Sequence, residues 1–273
     1  MKAAILTDTT KCIGCHQCVE SCKKVNHLDN DVPRRWDADD GLSARNWTSI
    51  VGATDNRYVR KQCRHCLEPA CAASCPVGAL HKTDIGAVVY DSSKCLGCRY
   101  CMMACPFGVP RYDWASVVPY VRKCILCYDR IKSGGQPACT ETCPTKATIF
   151  GDRDELLAEA HRRLAGSPGK YLNQVWGESE VGGTSVLYIS DIDLSFLTYG
   201  QHFGDKPLPA TTRAAMEAVP FAFTGMGAAM TGLCWIIGRR MKLQAEKAGG
   251  TPDGGSNGPE GAGDHDRQGR PEE

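Results

Sequence analysis

The sequence predicts an α+β fold in which two similar cysteine-rich modules, with loop-rich insertions, precede one apolar C-terminal helix. Three observations predict it. Sixteen of the seventeen cysteines fall in four tight quartets that resemble one another in pairs. Short strand-like and helix-like patterns lie between and after the quartets. From Ala218 to Gly238, 21 positions run without a charged residue. The 273-residue chain has a formal net charge of +1, so no global field points to nucleic acid as a partner.

The quartets are Cys12, Cys15, Cys18, Cys22; Cys63, Cys66, Cys71, Cys75; Cys95, Cys98, Cys101, Cys105; and Cys124, Cys127, Cys139, Cys143. Clustering of this kind signals bound metal rather than the scattered cysteines of a disulfide framework. The third quartet, KCLGCRYCMMACP, follows the bacterial ferredoxin run C-x2-C-x2-C-x3-C-P. Three thiolates on one tight loop suit three irons of a cubane. The fourth is carried off by the next turn to a neighbouring cluster, and the following proline redirects the chain. The first quartet, KCIGCHQCVESCKK, shares this plan but lacks the proline. The second and fourth both end in P-A-C-x3-C-P and differ in one loop. An internal repeat with two kinds of unit is the pattern of two dicluster modules.

Zinc is the competing metal, and a zinc site wants two C-x2-C pairs across a longer spacer. The fourth quartet could pass for one; three cysteines at x2 spacing fit a cubane better. Four [4Fe–4S] clusters are therefore expected. Lys11, Lys94 and Lys123 each precede the first cysteine of a quartet, either as cations near a negative cluster or as ordinary exposed lysines. Gly14 and Gly97 let backbone approach sulfur closely. His16 and His65 lie inside quartets but are expected beside the sites rather than as ligands, since each site already has four thiolates.

Around Asp84-Ile85-Gly86, residues 77–91 alternate as a β-hairpin. Residues 154–165 put Leu156, Leu157, Ala160 and Leu164 on one helical face. TSVLYIS, at 184–190, reads as a strand after the Gly182-Gly183 turn. Trp36, Trp47, Trp114 and Trp176 are expected to pack. No catalytic constellation, phosphate loop or nucleotide fingerprint is present, so the chain is expected to move electrons and not to act as an enzyme by itself.

The segment 218–238 is long enough to cross a bilayer at 1.5 Å per residue. Pro220 is placed in its first turn, Thr224, Ala228 and Gly232 form a small-residue face, and Cys234 is an isolated apolar side chain. Arg239, Arg240, Lys242 and Lys247 follow, against Lys206, Arg213 and Glu217 before it. The positive-inside rule then puts the C-terminus in the cytoplasm and the cysteine domain outside. No signal peptide or twin arginine is evident at the N-terminus. The expected organisation is a four-cluster domain over 1–205, a linker over 206–217, the span, and a disordered cytoplasmic tail over 239–273.

With these quartets, the VGGTSVLYIS segment and a terminal span in order, the chain resembles the four-cluster, ferredoxin-like iron–sulfur subunits of membrane-bound respiratory oxidoreductases. The β subunit of formate dehydrogenase and the iron–sulfur subunit of hydrogenase-2 are the types it looks most like, over about Thr10 to Arg240. GCRYCMMACPFGVPRYD and TIFGDRDELLAEAHRRL carry the hydrogenase-2 likeness. Spacing alone permits the quartets to pair first with second and third with fourth, or first with fourth and second with third. The resemblance implies the second scheme. Cluster 1 would take Cys12, Cys15, Cys18 and Cys143; cluster 2, Cys63, Cys66, Cys71 and Cys105. Cluster 3 would take Cys95, Cys98, Cys101 and Cys75; cluster 4, Cys124, Cys127, Cys139 and Cys22. It further implies a catalytic partner, and a membrane partner that is a cytochrome b or a multi-span quinone-binding subunit. Some relatives are exported folded on a partner's twin-arginine signal. The alternatives are service to another molybdopterin-type or multihaem complex, a freestanding polyferredoxin, or a structural zinc protein.

Overall fold

The apolar N-terminal patch forms the central strand of the protein. In the computed structural model, which describes residues 1–28, 40–52, 57–114, 120–198 and 202–249, β1 (Ala3–Asp8) is buried along its whole length. The chain continues through α1 (Gln17–Val25), β2 (Thr48–Gly52), β3 (Tyr58–Gln62), α2 (Ala70–Ala73), β4 (Leu80–Lys82) and β5 (Val88–Tyr90). It then runs through α3 (Tyr100–Ala104), β6 (Arg111–Tyr112), β7 (Val121–Arg122), α4 (Tyr128–Lys132) and α5 (Ala138–Glu141). The remaining elements are β8 (Thr148–Asp152), α6 (Arg153–Gly166), β9 (Val186–Ile189) and α7 (Ala210–Lys247). The mixture of short strands and helices agrees with the expected α+β class.

One three-stranded sheet, in order β8-β1-β9, organises the main body. β8 lies antiparallel to β1 and β9 parallel to it. A strand buried on both faces reads as an unbroken apolar run, which is how AAIL escapes a period-2 search. On one face of the sheet, Leu156 and Ala160 of α6 pack against Ala4, Leu6, Leu187 and Ile189. Helix α6 starts where Asp152 accepts a hydrogen bond from Asp154 N–H at 3.0 Å, an N-cap that fills an orphan donor. The other face meets Cys18, Val19, Leu126, Ile131 and Cys139, so the sheet is the floor on which cysteine loops rest.

The hairpin expected over 77–91 is β4–β5, closed where Gly86 at φ +94° donates to Thr83 O. The long connection after Cys22 holds an unforeseen second hairpin, β2–β3. Its side chains Val59 to Gln62 are all buried, including two cations. Trp176 is buried and packs as expected, whereas Trp114 is 46% exposed and sits edge-on to Tyr112 at 4.7 Å. A ring at the end of a two-residue strand has little core to enter. Trp36 lies outside the described residues.

The chain divides into two compact units, Met1–Ala214 and Ala215–Glu273. The apolar helix is longer than the sequence implied. It begins at Ala210 and ends at Lys247, so part of the expected linker is helical and the helix continues past Gly238. Pro220 is therefore interior and not in the first turn. The polar ends keep helix-forming residues (Ala, Arg, Met, Lys, Gln), and nothing in them stops propagation. Thr224 Oγ1 donates to the carbonyls of Pro220 and Phe221 at 2.9 and 3.0 Å, supplying side-chain bonds beside the proline. Residues 250–273 of the expected tail lie outside the described residues.

Candidate metal centres

Two cysteine loops are built alike, upstream of the repeat visible in the cysteines. Asp8 accepts from Thr10 N–H at 3.1 Å and caps a 3-10 turn, Thr9–Lys11, that delivers Cys12. Asp91 accepts from Ser93 N–H at 3.0 Å and caps Ser92–Lys94, delivering Cys95. Gly14 at φ +67° and Gly97 at φ +71° then turn the loops back. His16 and Arg99, both left-handed, start α1 and α3, which bury Cys18 and Cys101. The repeat is thus D-[TS]-[TS]-K-C-x-G-C, and its acidic cap is a signal the cysteine spacing did not include. In the other two loops, Pro69 and Pro137 precede the single-turn helices α2 and α5, placing Cys71 and Cys139 in equivalent buried positions.

These loops converge as two mixed sets. Cys12, Cys15, Cys18 and Cys143 line one cavity together with Arg60. Cys22, Cys124, Cys127 and Cys139 line another, beside Trp47 and Gln62. The other eight thiols also group by mutual electrostatics. Cys66 is affected by Cys105, Cys63 and Cys71, and Cys101 by Cys75, Cys95 and Cys98. Adjacent sets act on one another in turn: Cys18 with Cys139, Cys124 with Cys63, and Cys71 with Cys101. Cys234, on α7, belongs to none of them.

Burial dominates the thiol chemistry. It pushes Cys18 and Cys101 up to about 11, and Cys22 and Cys71 up to about 12; neighbouring thiols add to the rise. Cys66 and Cys124 are raised well above the usual thiol value for the same reason. Metal must replace those protons, because a bare thiolate there is heavily penalised. Cys75 is the exception. Its burial is outweighed by backbone N–H groups of Leu80, Val77, Ala79 and Gly78, which hold it below the usual thiol value.

The donor set fits iron–sulfur cubanes. Gly97 N–H donates to Cys95 Sγ and Leu126 N–H to Cys124 Sγ, each at 3.4 Å, and Gly14 N–H bonds Cys12. Such donors stabilise the negative charge of a thiolate-bound cluster. Among the described residues, no three His, Cys, Asp or Glu side chains close on a single metal ion.

The basic residues separate into two roles. Lys11 and Lys94 are surface residues that pair with Asp8 and Asp91 at 3.9 and 3.3 Å. Lys123 is buried and donates to Val88 O and Cys124 O. His16 is exposed and His65 wholly buried. His65 Nδ1 accepts from Val88 N–H at 2.9 Å, which assigns its proton to Nε2. Burial, then the charges of Lys123 and Lys82, hold this imidazole well below its ordinary pKa, so it is neutral. Sequence reasoning missed Arg60 and Lys82, since neither adjoins a cysteine in sequence. Lys82 Nζ donates to the carbonyls of His65 and Cys66 at 3.1 and 2.7 Å.

Comparison with known proteins agrees with this chemistry. The family model described as "4Fe-4S dicluster domain" matches residues 54–153. The hydrogenase-2 operon protein HybA of Shigella flexneri is 38% identical over 228 residues, covering 69% of this chain and 70% of that one. The B subunit of the anaerobic dimethyl sulfoxide reductase of Escherichia coli is 40% identical over 158 residues, covering 55% and 73%. The formate dehydrogenase iron–sulfur subunit of Haemophilus influenzae is 35% identical over 221 residues, covering 76% and 67%. With its buried thiols gathered in sets and relatives of this kind matched over two thirds of their length or more, the chain belongs to the iron–sulfur electron-transfer subunits of respiratory oxidoreductases.

Proposed function

We propose that the chain carries electrons through four [4Fe–4S] clusters between a catalytic oxidoreductase subunit and a quinone-reactive membrane subunit. The ligand sets are Cys12, Cys15, Cys18, Cys143; Cys22, Cys124, Cys127, Cys139; Cys63, Cys66, Cys71, Cys105; and Cys75, Cys95, Cys98, Cys101. The observation that carries this reading is the pair of cavities, each lined by cysteines from both the first and the last quartet. When bound, the clusters supply one-electron redox chemistry; the polypeptide fixes their order and insulation. The proximity of Cys18 to Cys139, Cys124 to Cys63, and Cys71 to Cys101 supports a linear order 1–4–2–3.

The ends of that order are open. Cys15 and Cys98 are exposed, and Leu96, Tyr100 and Met103 (72%, 57% and 86% exposed) surround the latter. Exposed apolar side chains around a cluster loop are suited to a partner subunit. The relatives serve hydrogenase, formate and dimethyl sulfoxide systems by name, and a formate- or hydrogen-oxidising partner is the reading favoured by the residues. Helix α7, long and apolar enough to cross a membrane, is read as a single-pass anchor in the cytoplasmic membrane. The Arg239, Arg240, Lys242 cluster favours, by the positive-inside rule, a cytoplasmic C-terminus and an outward cysteine domain.

Anaerobic purification from membranes, with iron, sulfide and zinc analysis and identification of co-purifying subunits, tests the proposal. Iron and sulfide in equal amounts at about sixteen of each per chain support it. Zinc without sulfide, or an intact chain soluble without detergent and without partners, overturns it.

A further inference from the structure

Arg60 is 2% exposed and among the largest fully buried side chains, yet among the described residues no carboxylate pairs with its guanidinium. Nη2 donates to Thr148 Oγ1 at 3.1 Å and reaches Thr7 Oγ1 at 3.5 Å; the buried Nε and Nη1 meet no oxygen or nitrogen acceptor among the described residues, and the guanidinium hydrogen-bonds the sulfur of Cys139. The groups that face it are thiols from two sets. Cys139 and Cys18 act on it most strongly, and it acts in turn on Cys12, Cys22 and Cys127.

A buried, unpaired cation is strongly unfavourable unless an anion is supplied. Lys123 and Lys82, near the second pair of sets, have their ammonium groups bonded to carbonyls. Arg60 differs in turning its guanidinium to a cysteine sulfur in place of a carbonyl. Along β3, alternate residues share a face, and Arg60 lines the first cavity while Gln62 lines the second.

We propose that Arg60 is the shared counter-charge of clusters 1 and 4, a positioning residue that raises the reduction potential of both. This rests on the four-cluster reading above. The step affected is a one-electron transfer in which the adjacent cluster along the wire is the reductant and is itself oxidised. No covalent bond forms or breaks. Each reduction adds negative charge beside a fixed cation, so the cation favours the reduced form.

The test is an EPR-monitored redox titration of the anaerobically purified full-length complex, comparing Arg60→Lys and Arg60→Met with wild type. In Arg60→Met, two of the cluster midpoints are expected to fall. At a fixed potential their reduced-to-oxidised ratio drops at least tenfold, about 59 mV for a one-electron couple. Arg60→Lys should stay within about threefold of wild type, and the other two midpoints should move less. Unchanged midpoints in an Arg60→Met protein with full iron and sulfide overturn the proposal. If Arg60→Met fails to hold clusters, retention by Arg60→Lys supports the need for charge, and loss in both variants overturns it in favour of packing alone. Wild-type protein lacking iron and sulfide would instead sink the four-cluster reading itself.

Discussion

Cys22, one turn beyond Cys18 on the same helix, shares its cavity with Cys139, from the last quartet. Burial and the charge of Cys139 together raise the Cys22 thiol to about 12, and Asn26 Nδ2 donates to its sulfur at 3.6 Å. The first quartet is therefore divided: three cysteines face one cavity and the fourth faces the next. Cys22→Ser should perturb the EPR signal of the cluster held by Cys124, Cys127 and Cys139, with loss of up to about a quarter of the iron. A change confined to the cluster altered by Cys15→Ser would show that Cys22 does not cross over.

Gly14 has a second constraint besides its φ of +67°. A Cβ at this position would lie 2.7–2.9 Å from three ring atoms of Tyr58. Gly14→Ala combines about 1–2 kcal/mol of left-handed strain with that clash. It should lower occupancy of the first cluster, measured as iron per chain and loss of one EPR component. Gly78→Ala is the control: it has the same sign of φ, +64°, but open space around its Cβ position. It should cost only the backbone strain and leave the iron content intact.

Asp40 Oδ2 accepts from Lys61 Nζ at 2.9 Å and from Arg111 Nη2 at 2.6 Å. This ties the segment before β2 to β3 and β6. Burial works against the carboxylate, but Lys61 and Arg111 outweigh it and depress its pKa below 3.8. Because the folded value lies below the unfolded one, the contribution to stability is complete above that unfolded value. It is lost as pH falls below 3.8 through the folded value. Asp40→Asn removes the buried carboxylate charge that Lys61 and Arg111 share, at a cost of about 3 kcal/mol. An apparent Tm lowered by roughly 6–12 °C should follow. An unchanged Tm at neutral pH would show that the triad contributes little.

The parts of the fold legible in sequence were those with a local signature. The cysteine runs, the hairpin around Gly86, helix α6 and strand β9 each declare themselves within about fifteen residues. The central strand β1 did not, because burial on both faces removes the alternation that marks a strand. Arg60 was illegible for a related reason. Nothing in YVRKQ distinguishes a buried cation from an exposed one on a hairpin, and its role depends on sulfurs contributed by distant segments on either side of it in sequence. The Asp8 and Asp91 caps were readable in principle. They belong to the same repeat as the cysteines, four positions upstream in each case.

In helix α7, Thr224, Ala228 and Gly232 are spaced four apart, which puts them on one face. A Cβ added at Gly232 would meet nothing within 4 Å. Phe221, Met226 and Trp235 are 79%, 63% and 63% exposed, as side chains meant for lipid or a second helix would be. The two roles proposed for the helix, anchoring and packing, separate by substitution. Ala228→Arg places a charge near the centre of the span at a cost of about 2.5–3.5 kcal/mol. It should shift the chain from carbonate-washed membranes toward the soluble fraction. Ala228→Leu keeps the hydropathy and should stay in the membrane. If the small-residue face seats a partner helix, Ala228→Leu should nevertheless weaken co-purification with the membrane subunit. Retention of the partner by Ala228→Leu would leave α7 as an anchor only, with subunit contacts confined to the cysteine domain.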